Sequence, residues 1–189
     1  YSVTIGGTDM KGDANMDGGV SILDVVATVA YIAEEDPQPF NFNLADVNND
    51  GQVDVSDIIG IVNIIFGTYN LDNCSSNEAV YSIEDGVLYV DSPVDIAGVQ
   101  FIFSDSVAPV SELFGEMEVV SKRLTADRYM FMAYSNDGNV ISAGRNAILS
   151  VGDAILRKIV LSDEFGCKIT PVEDPLAIEE FMSSEVKVY

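Results

Sequence analysis

Two acidic loops, repeated at an offset of 33 residues, constrain this chain more than any other feature of its sequence. The loops read DANMDGGVSILD from residue 13 and DVNNDGQVDVSD from residue 46, and the 21-residue segments that begin there agree at eight positions. The shared positions include the Asp, Asn and Gly residues that shape a tight polar loop. A repeat of this kind indicates one small structural unit used twice.

Each loop places oxygen-bearing groups at the spacing of a calcium-binding EF-hand loop. Such a loop takes ligands from positions 1, 3, 5, 7, 9 and 12 and has glycine at position 6. The predicted ligands are Asp13, Asn15, Asp17, the carbonyl of Gly19, Ser21 and Asp24 in the first loop, and Asp46, Asn48, Asp50, the carbonyl of Gln52, Asp54 and Asp57 in the second. One loop alone would also fit an ordinary acidic turn, but two matched copies favour two Ca²⁺ ions, because converging carboxylates repel each other without a cation.

A short helix is predicted after each loop. The segments SILDVVATVAYIA and DVSDIIGIVNIIF contain no Pro and carry apolar residues at helical i, i+3, i+4, i+7 spacing. The residues before each loop, GTDMKG and NFNLA, are polar or extended. Each unit is therefore a loop followed by one helix, and removing the metal is expected to loosen residues 12–67 while the rest of the chain stays folded.

Two loop–helix units between residues 12 and 69 resemble the dockerin module of cellulosome-type assemblies. The resemblance implies that this segment binds two calcium ions and docks to a cohesin, a β-sandwich carried by another protein. It places partner-binding residues at loop positions 10 and 11, which are Ile22, Leu23, Val55 and Ser56. Many dockerins carry a Ser/Thr pair at these positions, and this chain has that pair in neither copy.

The second predicted helix favours a docking surface without any family argument. It is apolar over nearly its whole circumference. A module this small cannot bury such a helix against one neighbouring helix. The excess apolar surface therefore docks either on another protein or on the chain's own second domain.

From residue 78 the sequence is typical of a β-sandwich, with short β-branched and aromatic runs between turn residues. Glu84-Asp85-Gly86 and Asn136-Asp137-Gly138 predict hairpin turns. The runs AGVQFIFS and MAYSNDGNVISAGRNAILSV resemble a cohesin-like sandwich, and an immunoglobulin-like or carbohydrate-binding sandwich is the alternative. We expect a multi-domain chain that consists of a tail (1–11), a small all-α calcium-binding dockerin-like module (12–69), a linker (70–77) and an all-β sandwich, cohesin-like or immunoglobulin-like jelly-roll (78–189).

The charge of the chain bears on its partners. With 31 acidic and nine basic residues, its formal charge of −22 would repel nucleic acid and anionic membranes. No apolar run approaches the roughly 20 residues that a transmembrane helix needs. The absence of histidine removes the commonest general base, and no catalytic constellation is visible, so no enzyme activity is predicted.

The two cysteines are relevant to the cellular compartment in which the protein acts. Cys74 and Cys167 form one disulfide in an oxidising compartment or remain two free thiols. Since the chain begins at Tyr1 without a leader, we expect a processed piece of a longer extracellular or cell-surface protein. The predicted function is non-catalytic, calcium-dependent docking within a secreted polysaccharide-degrading assembly, to a cohesin-type sandwich on another protein or to the chain's own β domain. The alternative is a carbohydrate-binding accessory sandwich with a calcium-stabilised structural module.

Overall fold

The computed structural model describes residues 10–110 and 113–174 of the chain. Most of the predicted tail, residues 1–9, and the end of the predicted sandwich, residues 175–189, lie outside this part. The helices are α1 (Ile22–Ile32), α2 (Phe42–Ala45) and α3 (Val55–Phe66), followed by a 3-10 turn at Leu71–Asn73. None of the helices in these ranges is long and apolar enough to cross a membrane.

Both long helices begin with a reciprocal cap formed by the ninth and twelfth residues of the preceding loop. Ser21 caps α1 and Asp54 caps α3, and in each case the acidic residue three positions later, Asp24 or Asp57, accepts the backbone N–H of the cap residue. This arrangement satisfies N–H groups that the first helical turn would otherwise leave unpaired. The ninth and twelfth predicted ligand positions therefore also fix where each helix begins.

The rest of the described chain is all β. Nine strands follow the helices: β1 (Glu78–Glu84), β2 (Val87–Ser92), β3 (Gly98–Phe103), β4 (Ala108–Pro109), β5 (Glu118–Thr125), β6 (Arg128–Tyr134), β7 (Gly144–Ser150), β8 (Leu156–Ser162) and β9 (Lys168–Glu173). Their order is β4-β7-β2-β1-β9-β8-β3-β6-β5. All pairs are antiparallel except β1 with β9, so β9 joins the two halves of the sandwich. A small helical region followed by an all-β domain confirms the predicted fold class.

One of the two predicted hairpins is correct. Strands β1 and β2 pair around Asp85 and Gly86, as predicted. The hairpin at Asn136-Asp137-Gly138 is wrong, because β6 pairs with β3 and β5 whereas β7 pairs with β2 and β4. This turn carries the chain from one half of the sandwich to the other.

Two hydrophobic cores stabilise the described chain, and strand β6 contributes to both. Phe131 and Ala133 point into the sandwich, while Met130 and Met132 point to the opposite face and into a core shared with the helices. This alternation follows from the two-residue period of a strand. The shared core contains, from the helices, Val25, Val55, Ile58, Ile59 and Ile61, and from the sheet, Ile102, Met130, Met132, Tyr134 and Val160.

A disulfide bond ties the end of the helical region to the sheet. Cys74 follows the 3-10 turn and is bonded to Cys167, which precedes β9, with 5.4 Å between the Cα atoms. Of the two alternatives for the cysteines, the structure has the bonded one. The boundaries predicted at 12–69, 70–77 and 78–189 stay a prediction, because the positions of helices and strands do not define units that fold independently.

Candidate metal loops and docking helices

The two acidic loops share one scheme of hydrogen bonds. The first Asp of each loop accepts the backbone N–H groups of the fifth and sixth loop residues: Asp13 from Asp17 and Gly18, and Asp46 from Asp50 and Gly51, at 3.0–3.1 Å. The sixth residue has a φ of +97° in Gly18 and +81° in Gly51. Glycine adopts this left-handed conformation without steric cost, which explains its place in both copies.

The last Asp of each loop bonds to both ends of its loop. Asp24 accepts the N–H groups of Asn15 and Ser21, at 3.0 and 2.8 Å. In the second loop, the N–H groups of Val47 and Asp54 donate to Asp57 at 3.0 Å. The shorter Asp at the position where EF-hands usually carry Glu thus holds the loop closed against its helix.

The donor chemistry of both loops fits a hard cation. Carboxylate, amide, hydroxyl and carbonyl oxygens are the ligands that calcium takes in proteins. Within residues 10–110 and 113–174, however, no three Asp, Glu, His or Cys side chains already surround a common point as metal ligands. Many of the carboxylate oxygens accept hydrogen bonds from backbone N–H groups. A bound cation would use the lone pairs of these oxygens that remain free, and the side chains would have to move closer together around it.

The second loop is the more deeply buried of the two at its helix end. Asp54 and Asp57 are both fully buried. Burial, together with the charges of Asp54 and Asp46, raises the pKa of Asp57 to about 7 against the opposing effect of its hydrogen bonds. The site therefore disfavours negative charge when no cation compensates it.

A lysine from the β domain reaches the second loop. The Nζ atom of Lys168, the first residue of β9, lies 2.5 Å from Asp50 Oδ2 and 2.7 Å from Asp54 Oδ2. Asp54 Oδ2 is buried and accepts no hydrogen bond of good geometry, so its contact with Lys168 is an ion pair. Burial acts to lower the pKa of Lys168, but the two carboxylates outweigh it and hold that pKa above its ordinary value.

The position of Lys168 beside the second loop could not be predicted from the sequence. The residue lies more than 100 positions beyond the loop and begins an ordinary alternating strand. No local pattern distinguishes it from the other basic residues, and only the folded chain brings it to the acidic loop.

The four predicted partner-binding residues lie in two different environments. On α1, Ile22 and Leu23 are 54% and 58% exposed, and the neighbouring Val26 is 57% exposed. Their equivalents on α3 include Val55 and Ser56, both of which are buried. The predicted surface is thus open to solvent in the first repeat and covered in the second.

The chain's own β domain covers the start of α3. The backbone N–H of Val55 donates to Gln100 Oε1 on β3, at 3.1 Å. A Cβ added to Gly98 would lie 2.8 Å from Val55 Cγ2 and 3.3 Å from Ile59 Cγ1, so the helix contacts the backbone of β3 directly. Close approach of helix and strand requires glycine at position 98.

Two ion pairs hold the end of α1 near β5 and β6. Lys122 contacts Glu35 at 2.8 Å and donates to the carbonyl of Ala33, and Arg128 contacts Glu34 at 2.8 Å. These side chains are well exposed, so each pair contributes about 0.2–1 kcal/mol at most. The helical region is held to the sheet mainly by the shared apolar core.

Comparisons with known proteins agree with the duplicated loops. Residues 11–65 match the family model of the dockerin type I domain. No curated protein matches the chain. The non-cellulosomal cohesin from the hyperthermophilic archaeon Archaeoglobus fulgidus is similar in structure at a TM-score of 0.36 and 12% identity, over 52% of this chain and 86% of that one.

The family match concerns the segment that contains both loops, α1, α2 and nearly all of α3. Dockerin modules are non-catalytic and act in protein–protein docking. The dockerin module predicted from the repeat is thereby confirmed for residues 11–65, and this segment of the chain is a dockerin-type docking module.

Proposed function

We propose that the chain is a calcium-dependent docking module of a secreted, polysaccharide-degrading multi-protein assembly, and that α1 presents its partner-binding surface. The observation that carries this proposal is the exposed apolar face formed by Ile22, Leu23 and Val26. Three adjacent large apolar side chains, each more than half exposed, form a patch of the kind that marks interaction sites.

The occupant of this face is the sheet of a cohesin-type β-sandwich on another protein. Support comes from the second repeat, where the equivalent face of α3, with Val55 and Ile59, already packs on the strand β3 of a β-sandwich. The equivalent faces of α1 and α3 come from the two copies of the sequence repeat. Because the face of α3 packs on a β-sheet, the face of α1 is suited to bind a β-sheet as well. The four predicted residues then divide, with Ile22 and Leu23 for the external partner and Val55 and Ser56 for the internal contact.

Calcium would be held by the oxygen groups predicted from the sequence in the two loops. In the first loop these are Asp13, Asn15, Asp17, the carbonyl of Gly19, Ser21 and Asp24. When bound, the ion supplies positive charge that relieves the repulsion between the carboxylates. The chain's own residues then set the direction of the helix, because Ser21 and Asp24 belong both to the loop and to the helix cap.

Secretion is supported by the bond between Cys74 and Cys167. Disulfide bonds persist in oxidising compartments and are rare in the cytosol. A docking module that acts outside the cell meets calcium there as well.

The experiment is isothermal titration of this chain into a panel of purified cohesin modules, with calcium or with EGTA. We expect a calcium-dependent complex with at least one member, and loss of that complex in the Ile22→Asp/Leu23→Asp variant. No complex with any member, or binding that EGTA leaves unchanged, would contradict the proposal.

A further inference from the structure

The ammonium group of Lys168 contacts carboxylate oxygens of Asp50 and Asp54, two of the predicted metal ligands of the second loop. We propose that Lys168 competes with calcium for the second loop, so that an ion enters this loop only when the ammonium group leaves. The inference rests on the proposed calcium sites, and it adds that the two sites differ in their affinity for calcium. The first loop is then the tighter site, and the second is controlled by the β domain.

The carboxylate oxygens of the second loop show why the two cations compete. Asp50 Oδ1 accepts the N–H of Gln52, and Asp54 Oδ1 accepts both the N–H and the hydroxyl of Ser56. The oxygens that remain at the fifth and ninth loop positions are the two Oδ2 atoms. Both of them contact Lys168 Nζ, so a divalent ion would need the same atoms.

The first loop has no such cation. Among the described residues, no lysine or arginine forms an ion pair with Asp13, Asp17 or Asp24. Its ninth position is the uncharged Ser21, whereas the second loop has Asp54 there. The ammonium group of Lys168 therefore balances the charge of the one additional carboxylate, Asp54. The second loop has both the extra carboxylate and the lysine, and the first loop has neither.

The backbone around Lys168 is fixed on α3, so the ammonium group does not reach the loop by chance. The β8–β9 turn lies very close to α3. A Cβ added to Gly166 in this turn would lie only 3.0 Å from the backbone nitrogen of Gly60 in the helix. Asn63 Nδ2 donates to the carbonyl of Glu164 at 3.0 Å. The disulfide at Cys167 holds the residue next to Lys168.

The structure also has room for the displaced side chain. A cavity of about 480 Å³ borders the loop, and Asn48, Asp50, Cys74 and Lys168 are among the residues that line it. The ammonium group can move into this cleft while β9 keeps its pairing with β1 and β8. Calcium entry at the second loop then exchanges one cation for another without unfolding the strand.

The test measures calcium binding at the second loop alone. An Asp17→Asn background weakens the first loop, and Lys168→Met in this background removes the charge while keeping an unbranched apolar stem. We expect calcium affinity at the second loop to rise by about ten-fold, because the substitution removes two competing ion pairs, with Asp50 and with Asp54. Lys158→Met, at an exposed lysine on the neighbouring strand β8, is the matched control and should leave the affinity unchanged.

A second readout distinguishes competition from general destabilisation. In EGTA, Lys168→Met should unfold at a lower urea concentration than the wild-type chain, because Asp54 then keeps a buried carboxylate without its cation. In saturating calcium this difference should shrink or reverse. If Lys168→Met fails to fold, Lys168→Gln is measured in the same way.

Three outcomes are informative. A rise in calcium affinity at the second loop with Lys168→Met, but not with the Lys158→Met control, supports the inference. Unchanged affinity there, while the first loop of the wild-type chain still binds calcium, overturns the role of Lys168 and leaves the proposed function standing. No calcium binding in any variant overturns the inference and the proposed calcium sites together.

Discussion

Ile22 and Val55 occupy equivalent positions in the two repeats, yet Ile22 is 54% exposed whereas Val55 is fully buried against the sheet of the same chain. The two loop–helix units are therefore alike in sequence and in loop geometry but not in surroundings. One unit is committed to an internal contact, and the other keeps its apolar face open.

Charged residues on the open face should abolish partner binding without affecting the fold. For Ile22→Asp/Leu23→Asp we expect loss of the calcium-dependent complex and a change in the free energy of unfolding within about 0.5 kcal/mol, typical of surface substitutions. Pull-down and urea unfolding measure the two effects. Val119→Asp, an exposed valine on β5, is the control and should bind normally. Retained binding by the double variant would remove α1 from the interface.

A methyl group at Gly98 should weaken the contact between α3 and the sheet. Gly98→Ala places a Cβ 2.8 Å from Val55 Cγ2, and such overpacking lowers the free energy of unfolding by about 1–3 kcal/mol. Urea unfolding of Gly98→Ala, Val55→Ala and the double variant gives the coupling between the two positions. We expect Val55→Ala to recover part of the loss, because it removes the methyl group that clashes. Strictly additive losses would show that the two residues do not meet.

Local patterns account for the parts of the molecule that were predicted correctly. The loop spacing and the 3.6-residue apolar period lie within short segments, so the two loops and the helices α1 and α3 follow directly from the sequence. The alternation of Met130, Phe131 and Met132 belongs to a strand, but it does not tell which face meets the helices. That assignment depends on β3 and β8, which lie far away along the chain.

The remaining features depend on contacts between distant segments. The bond between Cys74 and Cys167 joins residues 93 positions apart. Lys168 meets the second loop only because the β8–β9 turn packs on α3. The hairpin predicted at Asn136-Asp137-Gly138 fails for a related reason, since the turn signal there is local but strand pairing is set by the whole sandwich.

Loss of the disulfide should destabilise the chain considerably. For Cys74→Ser/Cys167→Ser we expect the free energy of unfolding to fall by about 2–4 kcal/mol, since the bond closes a long loop between the helical region and β9. Denaturant unfolding with and without reducing agent measures this effect. The reductant should shift the wild-type chain and leave the serine variant unaffected. An equal response of both proteins would show that the bond does not form in solution.

The carboxyl group of Asp163 should make stability depend on pH. Burial raises its pKa above the ordinary value, although the N–H groups of Cys167 and Phe165 donate to it and act in the opposite direction. A raised pKa means that the folded chain binds the proton more tightly than the unfolded chain does. This contribution to stability is complete below the ordinary Asp range and is lost as the pH rises through the raised pKa.

Asp163→Asn removes this dependence and keeps an oxygen for the two N–H groups. At neutral pH the variant should equal or exceed the wild-type chain in stability, and its advantage should shrink as the pH falls into the acidic range. Thermal unfolding across this range provides the measurement, with Asp153→Asn at an exposed loop position as control. An advantage that grows toward low pH would contradict the assigned direction.

Removing calcium should destabilise the helices and the sheet together. The sequence alone predicts that chelation loosens residues 12–67 and spares the rest, but Ile58 and Ile61 of α3 share one core with Met130 and Met132 of β6. Helices that lose their loops would uncover this face of the sheet, so we expect one cooperative thermal transition in far-UV and near-UV circular dichroism. Each calcium ion present at about 100 times its Kd adds about 2.7 kcal/mol, so that one bound ion raises Tm by roughly 5–10 °C for a chain of this size. Two separate transitions in EGTA, with most of the tyrosine signal kept through the first, would show instead that the sheet folds without the helices.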